Sequence, residues 1–243
     1  MDIVLCSSRG RELEEDGLLH MRHANPHNLR LVMKPGGTYR RLANKVRPLL
    51  VGMTEREKQE CNIFLFAGLC DVTLKDQDED YYPGVPYDEV LFNESPQEAY
   101  TRVVREIRYA EHTIQALGPK PIFCTIVPSS LQKLNTHRLK KGYTAFLMHY
   151  THYDDMQHLL NQTIHTLNNK ITEINLSNHV FTPRMGETIL TNKSRNQSGT
   201  GKRIHYSRLW DGCHPDENLV IEWADKLSHS IFKNRLDRDN LRA

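Results

Sequence analysis

Residues 62–71 read Asn-Ile-Phe-Leu-Phe-Ala-Gly-Leu-Cys-Asp. The first six are nearly continuous in apolar side chains and stop at a glycine. A short run without polar alternation suits a strand covered on both faces, which is the habit of parallel sheets. Working outward, Ile3 to Leu5 is a second such run and ends in the small-residue turn Cys6-Ser7-Ser8-Arg9-Gly10. Leu29 to Met33 is a third, stopped by Pro35-Gly36-Gly37, and Pro121 to Val127 is a fourth, closed by Pro128. Helical patterns lie between them. Tyr39 to Arg47 is polar and amphipathic and should stop at Pro48. Ser95-Pro96-Gln97-Glu98 has the order of a capping box with proline at the first helical position. Ala99, Val103, Ile107, Ala110 and Ile114 then share one face, and Gly118 supplies the stop. Asp154 is placed to cap a long helix through Ile174, and Pro215 opens a last one. Val180 and Phe181, or Thr188 to Leu190, are the candidates for a final strand. Apolar strands alternating with amphipathic helices predict an α/β fold with a mainly parallel sheet.

Composition narrows the class. The 243 residues carry 38% hydrophobic and 26% charged side chains, which excludes collagen-like and low-complexity chains. No apolar run reaches the ~18 residues of a membrane span, and the first residues lack the basic region of a signal peptide. The five cysteines are odd in number, widely spaced and free of CxxC pairs, so they read as reduced thiols of an intracellular protein. A formal net charge of +2 is too mild to imply a nucleic acid or an anionic membrane by itself. With no internal repeat and no linker, residues 1–243 read as a single domain with a charged tail from about Lys233.

In parallel sheets, sites form where the strands end. Those ends carry Ser7-Ser8, Gly36-Gly37 and Gly68-Leu69-Cys70-Asp71, and a fourth loop carries Asp211-Gly212-Cys213-His214-Pro215. Serine chemistry needs a base, a group that orients the base, and donors for an oxyanion. Ser8 is the candidate nucleophile, His214 the base, and Asp211 the group that holds the imidazole. Backbone N–H groups of Ser8 and of a glycine in the 36–37 pair are candidate oxyanion donors. Each has a plainer reading: a turn serine, a helix cap at Asp211, an ordinary glycine turn.

The four loops together resemble the blocks of the SGNH (GDSL-type) hydrolase superfamily, in family order and across nearly the whole chain. Cys6-Ser7-Ser8 stands where the family has Gly-Asp-Ser, so the resemblance makes Ser8 the nucleophile. Lys34-Pro35-Gly36-Gly37-Thr38 is similar to the second block, with Gly36 the better match for its oxyanion N–H. Gly68-Leu69-Cys70-Asp71 is similar to Gly-x-Asn-Asp, with Cys70 in place of the Asn. Asp211-Gly212-Cys213-His214-Pro215 matches the fourth block in full. The resemblance implies a three-layer α/β/α sandwich of the flavodoxin-like kind and a serine ester hydrolase without metal or cofactor. It implies an oxyanion hole at Ser8, Gly36 and Cys70, and a small-molecule, glycan or lipid ester as substrate. A thiol is a weak donor, so the departure at Cys70 keeps an alternative open. That alternative is a catalytically weakened SGNH-like module of a viral or mobile-element protein, acting in assembly or nucleic-acid binding. An acyltransferase using the same triad is a further reading.

Two other clusters are weighed. His149, His152 and His158 with Asp154 and Asp155 lack a metal-ligand signature, so no metal is expected. The basic stretch 192–203 lacks the order of a P-loop, because Arg203 follows Lys202 where Ser or Thr is needed. It reads as a solvated loop, with Lys202 and Arg203 as candidate anion contacts beside the site.

Overall fold

The computed structural model describes residues 1–15, 17–22, 28–76, 89–92, 94–142, 150–192 and 202–240. In chain order the elements are β1 (Asp2–Cys6), α1 (Arg11–Glu15), β2 (Leu29–Met33), α2 (Tyr39–Ala43), α3 (Val46–Leu49), α4 (Glu55–Gln59), β3 (Asn62–Phe66) and α5 (Leu69–Val72). There follow β4 (Leu74–Asp76), β5 (Glu89–Leu91), α6 (Pro96–Gln115), β6 (Lys120–Phe123), α7 (Leu131–Lys140), α8 (Tyr150–Ser177), β7 (Leu190–Asn192), β8 (Lys202–Ile204) and α9 (Glu217–Asn240). The central sheet has the order β2-β1-β3-β6, every pair parallel.

Strand periodicity divides the core into two layers. Ile3, Leu5, Ile63, Leu65 and Phe123 pack with α2, α6 and α8 through Leu42, Val103, Ile107, Leu160 and Leu167. Their alternates Val4, Cys6, Phe64, Phe66, Ile122 and Cys124 meet Leu13 of α1 and Trp223, Ala224 and Leu227 of α9. Helices on both faces make the three-layer α/β/α sandwich. β1 and β3 are buried throughout, as their unbroken apolar runs require. The Ser95–Glu98 capping box starts α6, and Gly118, at φ +104°, lies just beyond its end.

The structure corrects the reading at several places. The stretch from Tyr39 splits into α2 and α3, with Thr38 capping the first by accepting from Arg41 N–H. β6 is shorter than the apolar run from Pro121 to Val127 and ends at Phe123. Neither candidate for a final strand joins the central sheet: Leu190–Asn192 pairs antiparallel with Lys202–Ile204 in a separate ribbon. Side chains of α8 satisfy the outer edge of β6 and its continuation instead. Asn175 accepts from Phe123 N–H at 3.1 Å and donates to its carbonyl at 2.7 Å. Two helical turns earlier, Asn168 does the same for Ile126 at 2.6 and 2.9 Å. Asn234 of α9 clamps Phe181 alike, at 2.7 and 3.1 Å. Arg235 pairs with the buried Asp2 at 2.7 Å, and α9 stays helical past Lys233 to Asn240.

Candidate functional site

Parallel pairing sets the strand exits side by side. Cys6 lies opposite Met33 on one flank and Phe66 on the other. The ladder runs one step further, with Ser7 N–H on the Phe66 carbonyl at 3.1 Å and Lys34 N–H on the Cys6 carbonyl at 2.8 Å. The Ser8, Gly36 and Cys70 loops therefore leave the sheet as neighbours. Ser8 opens a 3-10 turn over Ser8–Gly10 that leads into α1. A side chain at Gly10 would run into Cys6 Sγ, so the turn closes only around glycine. Lys34 to Gly37 forms a turn closed by Gly37 N–H on the Lys34 carbonyl at 2.9 Å, with Gly36 at φ +64°. The backbone N–H groups of Ser8 and Gly36 donate to no group among the described residues.

Asp71, the last residue of the third block, has a clear structural task. Its buried carboxylate accepts Tyr39 N–H at 3.1 and 3.2 Å and ties α5 to the start of α2. Burial pushes its carboxyl up to about 7, against the pull of the Tyr39 bond, and the charge of Glu106 adds to the rise. Gly68 precedes it at φ +109°, where a Cβ would meet Ile126 at 2.5 Å.

The fourth loop is organised around Asp211. Its Oδ2 lies 2.6 Å from His214 Nδ1. Its Oδ1 accepts Cys213 N–H at 2.8 Å and His214 N–H at 2.6 Å. Burial opposes the charge, but the His214 ring and these N–H groups outweigh it and hold the carboxyl down at about 2. Gly212, at φ +89°, packs where a Cβ would stand 2.7 Å from Leu134 N, and its carbonyl accepts Ser130 N–H at 2.9 Å. The loop thus rests on the start of α7. The Trp210 ring is offset-stacked on His214, with centroids 5.8 Å apart and planes at 26°.

The bridge between this loop and the turn bearing Ser8 is Arg9, a residue the sequence reading passed over. It is buried, its Nε donates to Cys213 Sγ at 3.3 Å, and its Nη1 donates to the Val127 carbonyl. The residue after Ser8 therefore bonds the residue before His214. Glu12, one turn beyond Ser8, feels the charges of His214 and Asp211, and burial raises its carboxyl. Nothing in the sequence marked Arg9, Glu12 or Trp210, because each matters only through what the fold lays against it. Ser8 Oγ and His214 Nε2 have no hydrogen-bond partner among the described residues, so the two side chains are not bonded to each other in this structure.

Other expected features separate from this group. Cys70 is half-buried in α5, and none of the five cysteines is in a disulfide. Arg203 is exposed and makes no ion pair among the described residues; the Lys202 side chain and residues 193–201 lie outside them. His149 and the His152 side chain also lie outside, and no group able to hold a metal ion occurs among the described residues. No described helix is long and apolar enough to cross a membrane. A cavity of about 690 Å³ lies away from the four loops, between α8 and residues 184–190, lined by His165, Asn169 and Arg184 among others.

No family model matches the chain, and no curated protein matches it. Solved structures do. A provisionally assigned acylhydrolase from Bacteroides fragilis NCTC 9343 superposes with a TM-score of 0.51 at 12% identity, covering 95% of this chain and 83% of that one. A member of the lipolytic protein G-D-S-L family from Veillonella parvula DSM 2008 gives 0.49 at 11% identity, covering 94% and 97%. With its parallel four-stranded sheet between helical layers, the chain shares the three-layer α/β/α fold of the Bacteroides acylhydrolase structure.

Proposed function

We propose that the protein is a serine ester hydrolase in which Ser8, His214 and Asp211 form the catalytic triad. The observation that carries this reading is the Asp211–His214 pair, joined at 2.6 Å in a loop that Arg9 fastens to the turn bearing Ser8. Bound to Asp211 through Nδ1, the imidazole presents Nε2 as its free nitrogen, the geometry a general base needs. Catalytic hydrogen bonds are often open without substrate and tighten when it binds. His214 then takes the Ser8 proton as Oγ attacks the acyl carbon. The oxyanion forms against the unpaired N–H groups of Ser8 and Gly36. The imidazolium returns the proton to the leaving alcohol, and water releases the acyl group by the same route. No step needs a metal or cofactor. The substrate is an ester of a small molecule, glycan or lipid, and the five thiols suit an intracellular setting.

The test is labelling with a fluorophosphonate probe, wild type beside Ser8→Ala and Ser7→Ala, with p-nitrophenyl acetate turnover in parallel. Loss of labelling and turnover in Ser8→Ala alone supports the reading. An unlabelled, well-folded wild type overturns it.

A further inference from the structure

We propose that Trp210 is a positioning residue whose ring face stabilises the imidazolium of His214. The inference rests on the serine-hydrolase reading above and adds a residue that no sequence block contains.

The geometry is specific. Trp210 N–H donates to the His214 carbonyl at 2.9 Å, so the two residues are locked across the turn. The indole lies over the imidazole at 5.8 Å and 26°, an offset stack. His137 of α7 also meets the indole, in a T-shaped contact at 5.0 Å and 84°. Lys133, one turn before His137, donates from Nζ to the Leu209 carbonyl and anchors the same loop to α7. The indole is thus held in place although 52% exposed.

The chemistry follows from the charge made in the reaction. As Ser8 Oγ bonds the acyl carbon, its proton passes to His214 Nε2. One positive charge appears on the imidazole and one negative charge on the carbonyl oxygen. Asp211 meets the positive charge in the ring plane, through Nδ1. A tryptophan face within about 6 Å meets it from the ring face, and the contact strengthens only once the ring is charged. Besides Asp211, the charged group that faces this ring is Glu12 of α1; Arg11 acts on Glu12, Arg9 on Cys213 of the same loop, and His137 and Lys133 of α7 meet the indole and the Leu209 carbonyl.

The experiment compares full-length wild type with Trp210→Leu and Trp210→Phe. The protonation midpoint of the His214 ring is read by heteronuclear NMR, assigned through its loss in His214→Gln. In Trp210→Leu the midpoint should lie at lower pH, with the Nδ1–H resonance of the Asp211 bond retained. Trp210→Phe should restore most of the difference, since it keeps an aromatic face. With p-nitrophenyl acetate, kcat should fall about 3- to 10-fold in Trp210→Leu, the range expected for a cation–π contact, with KM little changed. An unchanged or higher midpoint overturns the proposal. So does a lower midpoint accompanied by loss of the Nδ1–H resonance, which reduces Trp210 to a prop for the loop. If wild type turns over no ester, the hydrolase reading fails on its own, and the NMR comparison still decides what the indole does.

Discussion

At the scale of single residues, Asp211 and Cys70 are the most informative. Asp211 accepts three hydrogen bonds from within its own loop and fixes which ring nitrogen of His214 faces outward. Asp211→Asn keeps the volume but can donate to Nδ1, which favours the wrong tautomer. Turnover should drop about 10³- to 10⁴-fold, and the melting temperature should fall as well because the charged hydrogen bonds of the loop are lost; activity assayed well below that lower melting temperature separates the two effects. Cys70 stands where the resemblance calls for an amide donor. One missing oxyanion donor typically costs about 10²- to 10³-fold, so Cys70→Asn should raise kcat by at least about tenfold. A flat or lower kcat would mean that Cys70 does not face the oxyanion. The Asp-Gly-x-His-Pro loop was legible because all its chemistry lies within five residues. Arg9 was illegible for the opposite reason. Its partners are 118 and 204 residues away, and an arginine in a turn gives no sign that it will be buried.

At the scale of elements, the sequence separated the strands and helices well where one local rule applied. Ser95, Pro96 and Glu98 placed the start of α6, and the apolar run placed β3. It failed at the outer edge of the sheet. A continuous apolar stretch from Pro121 to Val127 looks like one long strand, but only Lys120–Phe123 has a strand partner. Beyond it the backbone is satisfied by amide side chains from α8. Such a helix reads as amphipathic from Leu160, Ile164, Leu167 and Ile171, while the asparagines that do the pairing look like ordinary polar positions. Asn175 is fully buried and also donates to Thr182 Oγ1 at 3.1 Å. Asn175→Ala would strand the Phe123 N–H and carbonyl in the core. Each unsatisfied group costs about 1–3 kcal/mol, so the loss should be about 2–6 kcal/mol by urea unfolding. Asn175→Leu, which refills the volume without the hydrogen bonds, should recover little of it. Full recovery would show that packing, not the amide, holds the edge.

Across the whole molecule, the two buried carboxylates of the site loops give stability opposite slopes with pH. The four parallel strands and their flanking layers were legible because both faces of β1 and β3 are covered, which periodicity reports directly. The protonation state of the core was not legible, because it depends on which side chains the fold surrounds. Asp211 is held at about 2, below its unfolded value, so its contribution is present above about pH 4 and is lost as the pH falls toward 2. Asp71 is raised to about 7. Between about pH 4 and 7 the folded protein keeps a proton there that the unfolded chain has released. Folding is therefore favoured at the acidic end of that window and weakens as the pH rises through it. The change is on the order of a few kcal/mol at most, at 1.36 kcal/mol per pH unit. Asp71→Asn keeps an oxygen for Tyr39 N–H and removes the titration. Urea midpoints measured from pH 4.5 to 7.5 should decline in wild type and stay nearly level in Asp71→Asn. Parallel declines would place the titrating group elsewhere and leave Asp71 as a hydrogen-bonding clamp only. A level variant would mean that the residue joining the second and third loops also sets how the fold answers to pH.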